Sequence, residues 1–497
     1  MKLIYGVKDR PKWGQLILFA LQQLLAILAA TIAVPMIVKN GMSASAALFG
    51  AGVGTIVYLL FTKFRSPVFL GSSFAFLGSM SAAFAGGVSA SLGYLGLLLG
   101  AAFAGIVYVI IALVVKFAGV KWIDKVMPAV VIGPTVAIIG LSLAGNAVSD
   151  LLRGNVTVDV SNWVIEFVEG GAPVLKEETV AKMLCSPFVA LACGLTTLAV
   201  TVVCSVYGKK LLKMIPFIIG ILAGYALAAA FTGIGYAAKC DALKVINFEL
   251  FKNMQWYPDF AFLTAFKGGY VAGEAGSVGA YIGTIAVAYI PVAFVVFAEH
   301  IADHKNISSI IETDLLKDPG LTRTLLGDGI GSVAGAFFGG CPNTTYGESV
   351  GCVAISGNAS VITILLTAVL AIVFSFIAPF VTFLATIPSC VMGGVCVALY
   401  GFIAVSGLKM IQPVDLGDNR NLFVVSVILI AGVGGLTLNI GAVTVTEVAC
   451  ALILGILTNL LVNIRRKKKD GEDGLAEAVQ PAPEVADKTN EEGTDNV

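Results

Sequence analysis

The sequence predicts an all-α polytopic membrane protein with about fourteen transmembrane spans, arranged as a 7+7 inverted repeat, with short extended segments in spans 3 and 10. Three observations carry that prediction. The chain has 497 residues, of which 58% are hydrophobic and 12% charged, with a mean hydropathy of +0.93. A soluble domain carries about 25% charge, so this composition calls for lipid as part of its solvent. Apolar runs such as 15–38 and 91–115 exceed the roughly 20 residues that a helix needs to cross the hydrocarbon core. Finally, MPAVVIGPTVAIIG at 127–140 returns as IPSCVMGGVCVALYG at 387–401, sharing P-x-x-V-[IM]-G at an offset of 260 positions.

Taken in order, the first seven spans are expected near 15–38, 43–62, 67–86, 91–116, 127–147, 185–206 and 211–232. The second seven fall near 279–303, 324–340, 344–357, 359–381, 383–404, 421–438 and 441–463. Seven spans separate each repeated pair, and an odd repeat reverses direction in the membrane, which makes the halves inverted. GSSFAFLGS (71–79) and NTTYGESVG (343–351) sit at matching depths in the two halves. Interrupted segments at matching positions of inverted repeats point to a midplane site. Gly is abundant, at 56 residues, which suits close helix packing.

Basic residues set the orientation. Lys8, Arg10 and Lys12 precede span 1; Lys63 and Arg65 follow span 2; Lys116, Lys121 and Lys125 follow span 4. Lys209, Lys210 and Lys213 follow span 6, Arg323 precedes span 9, and Arg465 to Lys469 follow the last span. All fall on one side, which the positive-inside rule makes the cytoplasm, with both termini there. The start, MKLIYGVKDRPKWGQ, is polar and basic and reads as no cleavable leader. Polar loops at 148–184 and 233–278 are then external, and the acidic tail from Asp470 is expected to be disordered. The basic run before that tail suits lipid headgroups. Net charge is zero and no basic surface suggests nucleic acid; none of the nine Cys shows metal spacing, so they read as small packing residues.

Two carboxylates stand out inside apolar sequence: Glu299 in PVAFVVFAEHIADH (291–304) and Glu348 in GGCPNTTYGESVG (339–351). A charge at bilayer depth costs roughly 2.5–3.5 kcal/mol on insertion scales, so it persists where it faces a cavity or a partner. Glu299 and Asp303 are four apart and share one helix face. His300 points elsewhere, and His304, among Lys305 and Asn306, reads as a solvated helix-end residue. Pro342 ends one helix, Thr-Thr-Tyr favours extended backbone, and ESVGCVAIS reads as a new helix. The Gly347 and Glu348 amides would then sit at a helix N-terminus, where unpaired N–H groups can donate to carbonyl oxygens. GSSFAF, with Ser73 at its centre, places a second extended piece opposite; Phe74 or Phe76 is positioned to stack on a ring or simply to pack. Extended backbone at this depth is tolerated where it lines a cavity. The pattern describes a polar pocket that captures a small hydrogen-bonding solute together with a proton, with no other cofactor implied.

AEHIADH, GDGIGSVAGAFFGG, PNTTYGES and GSSFAF together resemble the nucleobase–cation symporter-2 (nucleobase–ascorbate transporter) family, most closely its bacterial uracil permeases, from the first span to about residue 464. The resemblance implies a core domain of 15–116 and 279–381 (spans 1–4 and 8–11) and a gate domain of 127–232 and 383–463 (spans 5–7 and 12–14). A cytoplasmic N-terminus at 1–14 and a disordered cytoplasmic tail at 464–497 flank them. It also implies plasma-membrane localisation and proton-coupled uracil uptake by alternating access. Glu299 and Glu348 would grip the pyrimidine N–H groups, and Phe74 and Gly347 would offer backbone amides to its carbonyls. Asp303, Tyr346 and Glu299 would serve proton coupling. Position 303 is a His in some uracil permeases of the family, and Asp in other members including purine permeases. Gln22-Gln23 stands where the family usually has Gln-His. Glu348 favours uracil, since the purine members tend to have Gln there; a xanthine or urate permease is the alternative.

Other classes fit less well. An anion exchanger of this architecture would show basic residues or bare helix N-termini rather than two carboxylates. A channel needs a continuous polar lining, and the polar residues cluster at one depth. No nucleophile, metal cluster or cofactor motif accompanies the carboxylates, so an enzyme is not indicated. A homodimer through the gate domain is compatible with the sequence.

Overall fold

A computed structural model describes residues 3–166, 174–209, 212, 215–252, 254, 256–440 and 443–463. The expected disordered tail, with Arg465 to Lys469, and Lys210 and Lys213 lie outside the described residues. Among those described, eight helices are long and apolar enough to cross a membrane, or nine if one bent pair counts as a single span. The chain is a mostly helical, multi-pass membrane protein.

The first part runs α1 (Trp13–Val38), α2 (Ala44–Phe61), β1 (Leu70–Ser72), a 3-10 turn at Phe74–Phe76, α3 (Leu77–Ala82) and α4 (Ala90–Ala118). It continues with α5 (Lys121–Val126), α6 (Ala129–Ser142), α7 (Ala144–Leu151), strands β2 (Thr157–Glu166) and β3 (Val174–Met183), α8 (Pro187–Tyr207) and α9 (Pro216–Ala237). The second part has α10 (Ala261–Ala265), α11 (Val278–Ile311), α12 (Leu321–Gly339), β4 (Asn343–Thr345) and α13 (Gly347–Ser356). Then come α14 (Val361–Phe374), α15 (Ala378–Thr386), α16 (Ser389–Ile411), α17 (Asn419–Val433), β5 (Leu438–Ile440), β6 (Val443–Val445) and α18 (Glu447–Asn463).

Helix starts follow their sequence signals. Ser43, Ser89 and Ser277 cap α2, α4 and α11 by accepting from amides three residues on. Pro187 and Pro216 occupy first helical positions, where a missing N–H costs nothing. The region expected as one span at 359–381 differs: Ser375, Phe376 and Ile377 break it, and α15 leaves α14 at 84°. The loop read only as polar at 148–184 holds the β2–β3 hairpin, with Thr157 opposite Met183.

Packing rests on glycine. Gly327, Gly331, Gly335 and Gly339 recur every fourth residue along α12, one face of a helix. Added to Gly331, a Cβ would lie 2.7 Å from the Gly54 carbonyl oxygen, and at Gly54 it would meet the Gly331 carbonyl at the same distance. α2 and α12 therefore touch backbone to backbone, with α14 on α2 and α4 on α12 and α11. A second contact of this kind joins α6 to α16, where a Cβ on Gly133 would lie 2.9 Å from the Gly407 carbonyl oxygen. α7, α8, α17 and α18 pack around that pair.

β1 and β4 come from opposite halves of the sequence and meet antiparallel, with Leu70 opposite Thr345, Gly71 opposite Thr344 and Ser72 opposite Asn343. The ladder extends at both ends, through Ser73 N–H to Pro342 O at 2.9 Å and Tyr346 N–H to Phe69 O at 3.1 Å. Backbone groups that helices would satisfy internally are thus paired across the chain.

Candidate functional site

Each strand hands its chain to a helix that starts beside the other strand. Tyr346 occupies the capping position of α13 in extended conformation, and no side chain caps that helix. Its hydroxyl instead donates to Ser72 O at 2.9 Å. Gly71 leaves room for the ring: a Cβ there would be 2.8 Å from the Tyr346 hydroxyl oxygen. The first amides of α13 are left facing a cavity of about 350 Å³.

The cavity collects most of the residues singled out above. Glu299, Asp303, Tyr346, Gly347, Glu348 and Phe74 all line it. Ser73 does not: it is fully buried, and its amide is committed to Pro342. Phe76 is also absent from the lining and stacks on Tyr289, 5.4 Å between ring centres, so of the two phenylalanines Phe74 alone presents to the cavity. Edge contact with Tyr400 at 5.7 Å fixes the Phe74 ring.

Asp303 is held: Thr345 donates its hydroxyl proton to Asp303 Oδ2 at 2.8 Å. Gly347 is close by, since a Cβ on it would be 3.7 Å from Asp303 Oδ1. Among the described residues neither the Glu299 nor the Glu348 carboxylate takes a side-chain hydrogen bond. Both are part-buried; Glu348 turns back on its own amide, and each carboxylate has acceptor capacity left for a ligand. Gln23 on α1 supports the floor from behind, donating to Ser349 Oγ at 2.5 Å, and the same oxygen accepts from the Phe69 amide at 3.1 Å.

The opposite wall was not expected from the sequence. Val136, Phe217, Phe402, Ile403 and Ser406 complete the cavity from α6, α9 and α16. Such residues resemble any lipid-facing stretch, so no signal in the sequence marks them. The cavity runs from the strand crossing toward Ser205, Pro216, Asn306 and Ser406. These lie near the C-terminal ends of α8, α11 and α16 and the start of α9, so it reaches one end of the molecule.

His304 corrects the sequence reading. It is fully buried, not solvated: Nδ1 lies 2.8 Å from His300 O and Nε2 lies 2.7 Å from the Tyr58 hydroxyl, which donates to Ser66 Oγ at 2.7 Å. The two imidazoles stack with centres 3.9 Å apart. His300 pairs through Nδ1 with Asp328 Oδ2 at 2.7 Å and through Nε2 with Thr324 Oγ1 at 3.0 Å. Asp328 belongs to GDGIGSVAGAFFGG, and a lone carboxylate in an apolar, glycine-rich span is the same signal that marks Glu299. This cluster lies behind the cavity, on the far side of α11 from its mouth.

A family profile described as "Permease family" (Xan_ur_permease) matches residues 14–441. The chain belongs to this permease family. Among its relatives are uracil permeases of Bacillus caldolyticus, 38% identical over 93% of this chain and 95% of the relative, and of Bacillus subtilis (strain 168), 37% identical over 93% and 95%. The uracil permease of Escherichia coli (strain K12) is 34% identical over 94% and 97%. These relatives are transporters, and the permease described here is not an enzyme. In fold, the permease is similar to the transmembrane domain of a cyanobacterial bicarbonate transporter, BicA, with a TM-score of 0.54 at 15% identity over 92% of this chain and 99% of that one. Murine Slc26a9, an anion transporter in its inward-facing state, gives 0.57 at 12% identity over 92% and 69%. At those identities the likeness concerns the fold alone.

Proposed function

We propose that this permease carries uracil across the plasma membrane together with a proton, by alternating access. The observation that carries the reading is the pairing in one cavity of two carboxylates without side-chain partners, Glu299 and Glu348, with the uncapped N-terminus of α13 at Gly347. A pyrimidine such as uracil offers N–H donors and carbonyl acceptors on one plane, which suits carboxylate acceptors and amide donors facing each other. Phe74 supplies a flat wall. Relatives named uracil permease, at 34–38% identity, agree with that substrate.

In this reading the chain forms a 7+7 inverted repeat. α1 to α4 and α11 to α14, with the β1 and β4 segments, act as the core domain, and α6 to α9 and α16 to α18 as the gate. The cavity lies between them. It extends toward helix ends that carry Lys209, Lys305 and Lys409. Excess lysine marks the cytoplasmic side, so the conformation is inward-facing with both termini in the cytoplasm. Asp303, held by Thr345 and close to Gly347, is the coupling group, with Tyr346 and Glu299 beside it. Asp303 also supports the alternative, a xanthine or urate permease, because purine members share it.

Uptake of radiolabelled uracil into proteoliposomes, with and without an inward proton gradient and with xanthine as competitor, tests this directly. Gradient-stimulated uptake that xanthine leaves unchanged is expected. Competition by xanthine moves the assignment to purines, and indifference to the gradient removes the proton.

A further inference from the structure

A second cavity, sharing no lining residue with the first, lies at the end of α2. α2 finishes at Phe61, and the chain then turns through Lys63 and Phe64 at φ 53° and 55°, a conformation that side-chain-bearing residues seldom take. The turn faces the segment before α12. Between them is a pocket of about 180 Å³ lined by Lys63, Arg65, Asp318, Pro319 and Arg323. Three cations thus face one carboxylate. Asp318 is committed to Arg65, with which it forms an ion pair. Among the described residues, no ion pair or hydrogen bond engages the ammonium of Lys63 or the guanidinium of Arg323.

The surroundings identify the ligand. Leu60, on the last turn of α2, is 58% exposed, and Phe64, between the two cations of the turn, is 41% exposed. α2 is long and apolar enough to cross a membrane, which would set the exposed Leu60 against acyl chains and Lys63 and Arg65, just past the helix end, toward water. Apolar contact on one side and convergent cations just beyond it match a phospholipid at its headgroup. Arg supplies planar donors for phosphate oxygens and Lys a compact charge. We propose that this pocket binds the phosphate of an anionic phospholipid, with Lys63 and Arg323 as its principal ligands and Arg65 fixed by Asp318 as the third. Leu60 and Phe64 hold the acyl chains. Phosphate oxygens are the shared chemistry of a lipid headgroup and of free phosphate; the exposed apolar pair favours the lipid.

The test uses the full chain, purified in detergent and stripped of lipid. Binding of phosphatidylglycerol and phosphatidylcholine is followed by native mass spectrometry, alongside inorganic phosphate at millimolar concentration. Phosphatidylglycerol is expected to bind preferentially, and K63A/R323A to lose that preference by roughly 10- to 30-fold. A second measurement does not depend on the stability of that variant. In Phe64→Trp, brominated phosphatidylglycerol is expected to quench the indole at lower concentration than brominated phosphatidylcholine. Equal quenching by the two lipids, or a preference that survives K63A/R323A, overturns the proposal. Displacement of the lipid by free phosphate overturns the lipid assignment and leaves a soluble-anion site.

Discussion

Glu348 and Asp303 lie in the same cavity but are held differently, and they should fail differently. Glu348→Gln keeps the shape and removes a charged acceptor, so uracil affinity should fall roughly 10- to 100-fold. Equilibrium binding shows this, with an unchanged melting temperature separating it from misfolding. Asp303→Asn retains the acceptor for Thr345 while removing the ionisable group. Transport should then lose its response to the proton gradient while uracil binding changes little, a contrast read by binding and uptake on one preparation. Tyr58→Phe takes the hydroxyl from both His304 and Ser66, and stability should drop by about 0.5–2 kcal/mol in a thermal melt. The carboxylates were legible because charge in an apolar run is rare. His304 was not: it follows Asp303 in sequence and turns about 100° away on the helix, into a pocket closed by Tyr58 from 246 residues upstream. Nothing local to AEHIADH indicates that partner.

At the scale of elements, close approach decides what can change. Gly331→Leu would drive a side chain into the Gly54 carbonyl and Leu70, whose Cδ1 lies 2.9 Å from the position of an added Cβ. α2 and α12 would have to separate, and little folded protein should elute on size exclusion. Gly279→Ala on α11 is the control, since nothing lies within 4 Å of its Cβ position. Gly71→Ala acts locally by displacing the Tyr346 ring from Ser72, and should cost binding more than stability. The extended character of NTTY and the helix start at Gly347 were readable from Pro342, Thr344, Thr345 and Gly347. The break after Phe374 was missed although Pro379, in the first turn of α15, is a signal for it: a proline there disfavours an unbroken helix through 375–379.

For the whole molecule, the cavity reaches one end and the strand crossing closes it toward the other. Cysteines placed at Asn306 and Ser406, in a chain freed of its nine native cysteines, should react with a membrane-impermeant maleimide supplied from the cytoplasmic side. Uracil should protect them. Reaction from the opposite side would reverse the orientation. The eight long apolar helices were legible in advance because hydropathy is local. The partner wall of Val136, Phe402 and Ile403 was not, since apolar residues facing a cavity and facing lipid read alike.

The three-pair ladder of β1 and β4 also governs how the protein is made. Leu70 waits for Thr345, 275 residues later in the chain. At synthesis rates of about 5–20 residues per second, β1 has bare peptide groups for roughly 10–60 s while neighbouring helices insert. Hydrocarbon does not tolerate such groups. The nascent first half must therefore be sheltered by the insertion machinery, and a chain stopped before Asn343 should be degraded rather than accumulate in the membrane.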